Sequence, residues 1–251
     1  MDNNKIKTQR AFLQDTLRLQ IDFRQTEQNL GKAPPATQKP SLEGQTLILL
    51  PDKQAFQEFR GTDLIEAIEG RKSHRRFQSL SLSLAELAFL LWATQGIRKV
   101  LAPGTALRTV PSAGCRHAFE TYLVVNKVVT LEQGVYRYLP IEHALVFEHH
   151  AANPAGRLTE ATFGQGFIAT APVIFVWSVI PYRMEWRYDI AAHRVLAMDI
   201  GHVCQNLYLA CEAIQAGTCA VAAYHQEKMD ALLQVDGEDE FTLYMAPVGK
   251  V

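Results

Sequence analysis

FETYLVVN at residues 119–126, VYRYL at 135–139 and HALVFEH at 143–149 are short stretches rich in Val, Tyr and Phe, with a Glu132-Gln133-Gly134 turn between the first two. Branched and aromatic side chains suit a pleated surface, and the spacing predicts an antiparallel meander. Toward the C-terminus, the apolar run 171–180 reads as a buried strand, a short helix falls near 227–233, and FTLYMAPVG at 241–249 forms a last strand. Between them Val195, Met198, Val203, Leu207, Ala210 and Ile214 recur at helical spacing over 189–216, and Gly217 supplies the stop. About 28 residues at ~1.5 Å each predict a rod of ~40 Å, long enough to be central or to lie at a subunit interface.

Toward the N-terminus, Ser83 and Glu86 form a capping box ahead of Leu84, Leu87, Ala88 and Leu91, with Gly96 ending that helix. Asp63 and Glu66 start a shorter helix over 64–69, stopped by Gly70. Residues 8–30 carry Phe12, Leu13, Leu17 and Ile21 at helical spacing before the breaker-rich KAPPATQKPS. Residues 1–60 are therefore read as an N-terminal arm and linker, and 61–251 as the main domain. Helices and strands come in blocks without βαβ alternation or internal repeat, so the predicted class is α+β.

Twenty-five Lys+Arg face 26 Asp+Glu, a formal charge of −1, and 48% of the 251 residues are hydrophobic. That suffices for a core without disulfides or structural metal, and leaves no global field to recruit nucleic acid or an anionic membrane. The run 171–180 is too short to cross a bilayer and Met1-Asp-Asn-Asn-Lys5 opens a polar segment, so a soluble, cytoplasmic protein is expected. Cys115, Cys204, Cys211 and Cys219 form no CxxC pair and sit among apolar or small residues, which suits reduced, buried thiols rather than a disulfide framework or zinc.

Three segments have the makings of a site. In RKSHRRF, an extended backbone places Arg71, Ser73 and Arg75 on one side, two guanidinium forks around a hydroxyl, which is what a phosphate needs. The plain alternative is a solvated basic loop. In PSAGCRH, small side chains at 111–114 let the backbone approach a flat ligand, with Arg116 and His117 at its edge; otherwise the segment is a turn into the strand at Phe119. In GTCAVAAY at 217–224, main-chain N–H groups are open to a ring acceptor, or the run is a tightly packed strand. His143, His149 and His150 lack a second ligand pair at metal spacing, and no nucleophile elbow, GxGxxG or Walker sequence is present.

Taken together, RKSHRRF, PSAGCRHAFETYLVV, GVYRYLP, DIGHVCQNLYLACEA, GTCAVAAY and LYMAPVGK resemble the nitroreductase-like flavoprotein family over about residues 61–250. Within it they are most similar to the SagB-type dehydrogenases, which include flavin oxidases of thiazole- and oxazole-modified peptides. The resemblance implies an α+β fold with a central, mostly antiparallel sheet flanked by helices, a long central helix at the interface of a homodimer, and one FMN in each of two interfacial sites. It implies that Arg71, Lys72, Ser73 and Arg75 hold the phosphate and ribityl end, that Pro111, Ser112, Ala113 and Gly114 lie along the isoalloxazine, and that Ala220, Val221 and Ala222 offer backbone contacts near N5. Gln165 matches a polar flavin contact less closely, and Lys250 stands where relatives have a basic tail that clasps phosphate; it reads equally as an ordinary terminal lysine.

The activity implied is hydride transfer through flavin N5 to or from a small or peptidic substrate, with NAD(P)H or the substrate reducing the flavin. Azoline oxidases resemble one another in a Lys-Tyr pair, and Arg187-Tyr188 is the nearest match here. Arginine stays protonated and is no base, so Tyr188 is left as the proton-handling candidate or as an aromatic wall. A peptide azoline dehydrogenase using Tyr188, and a flavin- or partner-binding protein without turnover, are the alternative expectations.

Overall fold

The computed structural model describes residues 3–59 and 61–251; Met1 and Asp2, where the polar N-terminal reading begins, lie outside them. In chain order the elements are α1 (Asn3–Arg10), a run of short 3-10 turns, β1 (Leu47–Leu49), α2 (Leu64–Gly70), α3 (Leu84–Gln95), β2 (Ile97–Ala102), β3 (Thr105–Arg108) and β4 (Phe119–Val125). There follow β5 (Gly134–Leu139), β6 (Ala144–His149), α4 (Pro154–Ala161), β7 (Val173–Val179), α5 (Tyr182–Tyr188), α6 (Ala192–Ala213), β8 (Ala216–Thr218), α7 (Gln226–Leu233) and β9 (Phe241–Lys250).

Among the described residues, seven strands make one antiparallel sheet in the order β1-β6-β5-β4-β7-β9-β8, and β2 with β3 forms a separate hairpin. The expected meander is β4-β5-β6, with Val124 opposite Val135 and Tyr138 opposite Leu145. Successive side chains cross the sheet. Leu123, Val125, Phe175 and Trp177 therefore join a core with α3 and α6, whereas Tyr122, Val124, Ile174 and Val176 join one with α4 and α7. With both faces covered, β4 and β7 read as continuous apolar runs rather than alternating ones.

The capping box forms as read: Ser83 N–H donates to Glu86 Oε2 and Glu86 N–H to Ser83 Oγ, and Gly96 caps the far end of α3. Asp63 likewise accepts the Ile65 and Glu66 N–H groups at the start of α2.

Three expectations are corrected. Residues 8–30 are not one helix: α1 stops at Arg10, Gln14 and Ile21 are extended, and Asp22 caps a separate turn through Arg24 N–H. Phe12, Leu13, Leu17 and Leu19 remain exposed, so no packing rewards a continuous helix. The 189–216 rod is also shorter. Asp189, at φ +51°, separates α5 from α6, and the chain leaves the helix at Ile214, giving 22 residues with Gly217 inside β8. Cys115, finally, is half-buried, whereas Cys204, Cys211 and Cys219 are buried; all four are free.

Part of the stretch before Gly61 is built into the sheet. β1 pairs with β6, Lys39 N–H donates to Glu120 Oε1 at 2.7 Å, and Arg137 donates to the Lys39 and Pro40 carbonyls at 2.7 and 3.0 Å.

Candidate functional site

Helix α6 carries two anchor points. The first is Tyr208, whose hydroxyl lies 2.9 Å from Ser73 Oγ and accepts the Ala220 N–H at 2.8 Å, while its ring lies 5.2 Å from the Arg71 guanidinium. The backbone closes the same junction: Ser73 bridges Thr218, and His74 N–H donates to the Thr218 carbonyl. The basic segment and the small-residue segment, some 145 residues apart in sequence, thus converge on one tyrosine.

The chemistry left open there is cationic. Arg71 and Arg75 contact only the rings of Tyr208 and Phe167, and Lys72 is exposed; none of the three has an acidic partner among the described residues. Gln165 sits beside this cluster, its amide donating to the Thr162 and Ala223 carbonyls. Of the N–H groups of Ala220, Val221 and Ala222, the first is donated to Tyr208 and the second to the Met245 carbonyl. Ala222 is exposed and is the one of the three whose N–H stays unpaired among the described residues. Lys250 is turned elsewhere, its ammonium shared between Glu86 and the Ile214 carbonyl.

The second anchor is Asp199, buried on α6, which accepts the Ala113 N–H at 3.1 Å. Burial holds its carboxyl above the usual carboxylate range, and the Ser112 hydroxyl and Ala113 N–H pull it partly back. Ser112 Oγ in turn accepts the His117 N–H, so Pro111–Gly114 is tied at both ends. Gly114 is at φ +58°, and a Cβ there would lie 2.7 Å from Arg187 Cδ and Nε and 2.9 Å from the Tyr188 hydroxyl. Glycine holds this angle without strain, and its bare backbone is the floor on which Arg187 and Tyr188 lie.

Asp199 and Tyr208 are nine residues apart, ~13.5 Å along the helix and about half a turn around it. The 111–114 loop and the Tyr208 cluster therefore stand on different sides of α6, and no hydrogen bond among the described residues links them. Tyr208, Asp199 and Phe167 had no role in the sequence reading; the available signal was a tyrosine hydroxyl in an otherwise apolar helical stripe, which needs a partner when half-buried. The histidines set aside earlier are engaged in bonds of their own: His143 with Tyr138 Oη and the Pro51 carbonyl, His149 with the Leu232 carbonyl. Burial pushes the Cys204 thiol up to about 12, which removes it as a nucleophile.

A family model described as "Nitroreductase family" matches residues 68–250, which spans both anchors. The chain belongs to the nitroreductase family. Membership makes it an oxidoreductase of the flavin-using type. It is 31% identical over 205 residues to a Methanocaldococcus jannaschii protein whose nitroreductase name is provisional, a match covering 81% of this chain and 96% of the relative. The trifolitoxin-processing protein TfxB of Rhizobium leguminosarum bv. trifolii is 30% identical over 147 residues, 54% of this chain and 38% of TfxB. Among solved structures, a Ralstonia eutropha protein with a similarly provisional nitroreductase name superposes with a TM-score of 0.67 at 25% identity, over 88% of this chain and 95% of that one. No helix among the described residues is long and apolar enough to cross a membrane.

The residues present fit a flavin mononucleotide. Among the described residues Arg71, Lys72 and Arg75 are cations without acidic partners, as a phosphate would need, Ala222 keeps an unpaired N–H for a ring acceptor, and Pro111–Gly114 carries only small side chains, with Arg187 and Tyr188 lying over Gly114.

Proposed function

We propose that the chain is an FMN-dependent oxidoreductase acting as a homodimer, with each FMN held between the Tyr208 cluster of one copy and the 111–114 loop of the other. The observation that carries this reading is the junction at Tyr208, where one hydroxyl fixes Ser73 and Ala220 beside three unpaired cations. In it Arg71, Lys72, Ser73 and Arg75 bind the phosphate, Ala222 N–H meets the ring edge, and Pro111–Gly114 excludes water from the ring face. Bound FMN supplies hydride transfer at N5. Tyr188, whose hydroxyl bonds no other described residue, holds a proton at the substrate side, and Arg187 stays charged throughout. The proposed substrate class is small or peptidic; TfxB, to which part of the chain is similar, is named for processing trifolitoxin.

The test is flavin retention. Purified protein is yellow and releases FMN on denaturation, and Arg71→Ala with Arg75→Ala weakens FMN binding by about tenfold or more, since charge-assisted bonds are worth ~1.5–3 kcal/mol each. Riboflavin, which lacks the phosphate, binds parent and variant alike. Colourless protein that takes up no added FMN overturns the reading. Anaerobic addition of NADH, NADPH and a peptide panel, followed by absorbance, then identifies the reductant; a flavin that none of them bleaches favours a binding protein without turnover.

A further inference from the structure

We propose that Arg187, with the Tyr188 hydroxyl beside it and Arg116 behind it, forms an anion subsite over Gly114, and that the substrate carries a carboxylate into it. This rests on the flavin-site reading above and names the substrate class for it.

Two donors on adjacent residues lie on the same glycine, within 2.7 and 2.9 Å of the position its Cβ would take. Both are unspent. Arg187 makes no ion pair or hydrogen bond with any described residue, its one ring contact being Tyr188 at 5.5 Å, and the Tyr188 hydroxyl has no hydrogen-bond partner among them either. Both side chains are half-buried, so they are open to a ligand yet poorly compensated by water.

A second cation backs them. Arg116 is 2% exposed, lies 4.8 Å over the Trp186 ring, and spends Nη2 on the Gly104 carbonyl, while its Nε is buried without a partner. Burial and then the charges of Arg187 and Arg183 hold its pKa below the ordinary value, so these guanidiniums feel one another with no carboxylate between them. The acids of the surrounding segments have partners of their own: Asp199 accepts Ala113 N–H, Glu185 pairs with His193, Glu120 with Arg183, and Asp189 Oδ1 accepts Ile190 N–H. A cationic cluster of this kind favours a planar anion, and a guanidinium fork with a hydroxyl beside it matches the two oxygens of a carboxylate.

Two sources present that group, an aromatic acid and the C-terminus of a peptide, and calorimetry on the purified protein separates them. Benzoate is compared with benzamide, and a glycyl-phenylalanine free acid with its C-terminal amide. The acid of at least one pair binds about tenfold or more tightly than its amide, as a charge-assisted pair requires. Arg187→Met collapses that ratio to about one, and Arg187→Lys, which keeps the charge without the fork, leaves it in between. Equal binding of acid and amide by the parent overturns the proposal whether or not either variant folds. So does an Arg187→Met protein that keeps the full ratio, and one that shifts the flavin midpoint potential with the ratio intact assigns Arg187 to the cofactor instead. Calorimetry needs no bound flavin, so colourless protein with a full acid preference defeats the flavin reading and leaves the subsite standing.

Discussion

Tyr208→Phe isolates the tie on which the cofactor cluster depends. The substitution removes one hydroxyl, which contacts Ser73 Oγ at 2.9 Å and accepts the Ala220 N–H at 2.8 Å, and keeps the ring beneath Arg71. Ser73 is exposed, so water takes over its bond and little is lost there. The Ala220 N–H is half-buried and loses its acceptor, which costs about 1–2 kcal/mol. If that cost falls on the ordered, flavin-binding arrangement of the two loops, FMN affinity drops ~5- to 30-fold. Global stability drops by at most the same amount, ~2–8 °C in Tm for a chain of this size. Apoprotein titrated with FMN, read by quenching of flavin fluorescence, gives the affinity, and a thermal melt followed by circular dichroism gives the Tm. A Tyr208→Phe protein whose FMN Kd stays within about twofold of the parent refutes the reasoning, because the same bond cannot organise the site and be dispensable to it.

Two predictions concern the groups buried beneath the site. Burial and then the Arg108 guanidinium hold His117 down at about 3, so the unfolded chain, with an ordinary histidine, takes up the proton first. Stability is therefore complete above about pH 6.5 and is withdrawn as the pH falls toward 3, by up to ~1.4 kcal/mol per unit. Urea midpoints of the parent should fall between about pH 7.5 and pH 5 by more than those of His117→Gln; parallel curves contradict the assignment. Glu120, 2% exposed, lies 2.5 Å from Arg183 and 3.8 Å from Arg137 and accepts Lys39 N–H. Arg137 keeps Glu148 at 2.7 Å, so Glu120→Gln leaves the buried Arg183 guanidinium without its carboxylate, which costs about 3–5 kcal/mol and lowers Tm by ~6–20 °C, and a change under ~2 °C in a thermal melt excludes Glu120 as the counter-charge.

What the sequence disclosed follows local rules. The meander was legible because β4, β5 and β6 are separated by turns and each is rich in residues that suit a pleated surface. The start of α3 was legible because a capping box is a four-residue pattern. The long helix begins three residues later than the periodicity places it, because apolar spacing does not distinguish the 3-10 turn Asp189–Ala191 from the helix that follows it. The failure at 8–30 is of the opposite kind: the periodicity is present, but Leu13 and Leu19 have nothing to pack on, and a stripe without a partner does not sustain a helix. For the site, residue types announced the cations and the small-residue loop, whereas Tyr208 announced only a hydroxyl in need of a partner and Asp199 nothing, because their roles lie in contacts with segments up to 135 residues away.

The position of those two residues bears on how many copies the site requires. On opposite sides of one helix, they hold their loops too far around α6 to face one another within a chain. On either side of Asp199, α6 exposes Ala197, Met198, Gly201, His202 and Gln205, spaced three and four residues apart. An added Cβ at Gly201 would meet nothing within 4 Å, so its smallness serves no contact inside this chain. An exposed helix face with glycine at its centre is suited to close approach by a second helix, and a two-fold axis through it repeats every contact in both directions. Under the proposed function that one operation sets each Tyr208 cluster against the partner's Gly114 loop, completing two sites at once. The same axis would bring the unspent Arg187 and Tyr188 of each copy to a flavin whose phosphate is gripped by the other, which makes cofactor binding and substrate selection properties of different chains in the same pocket.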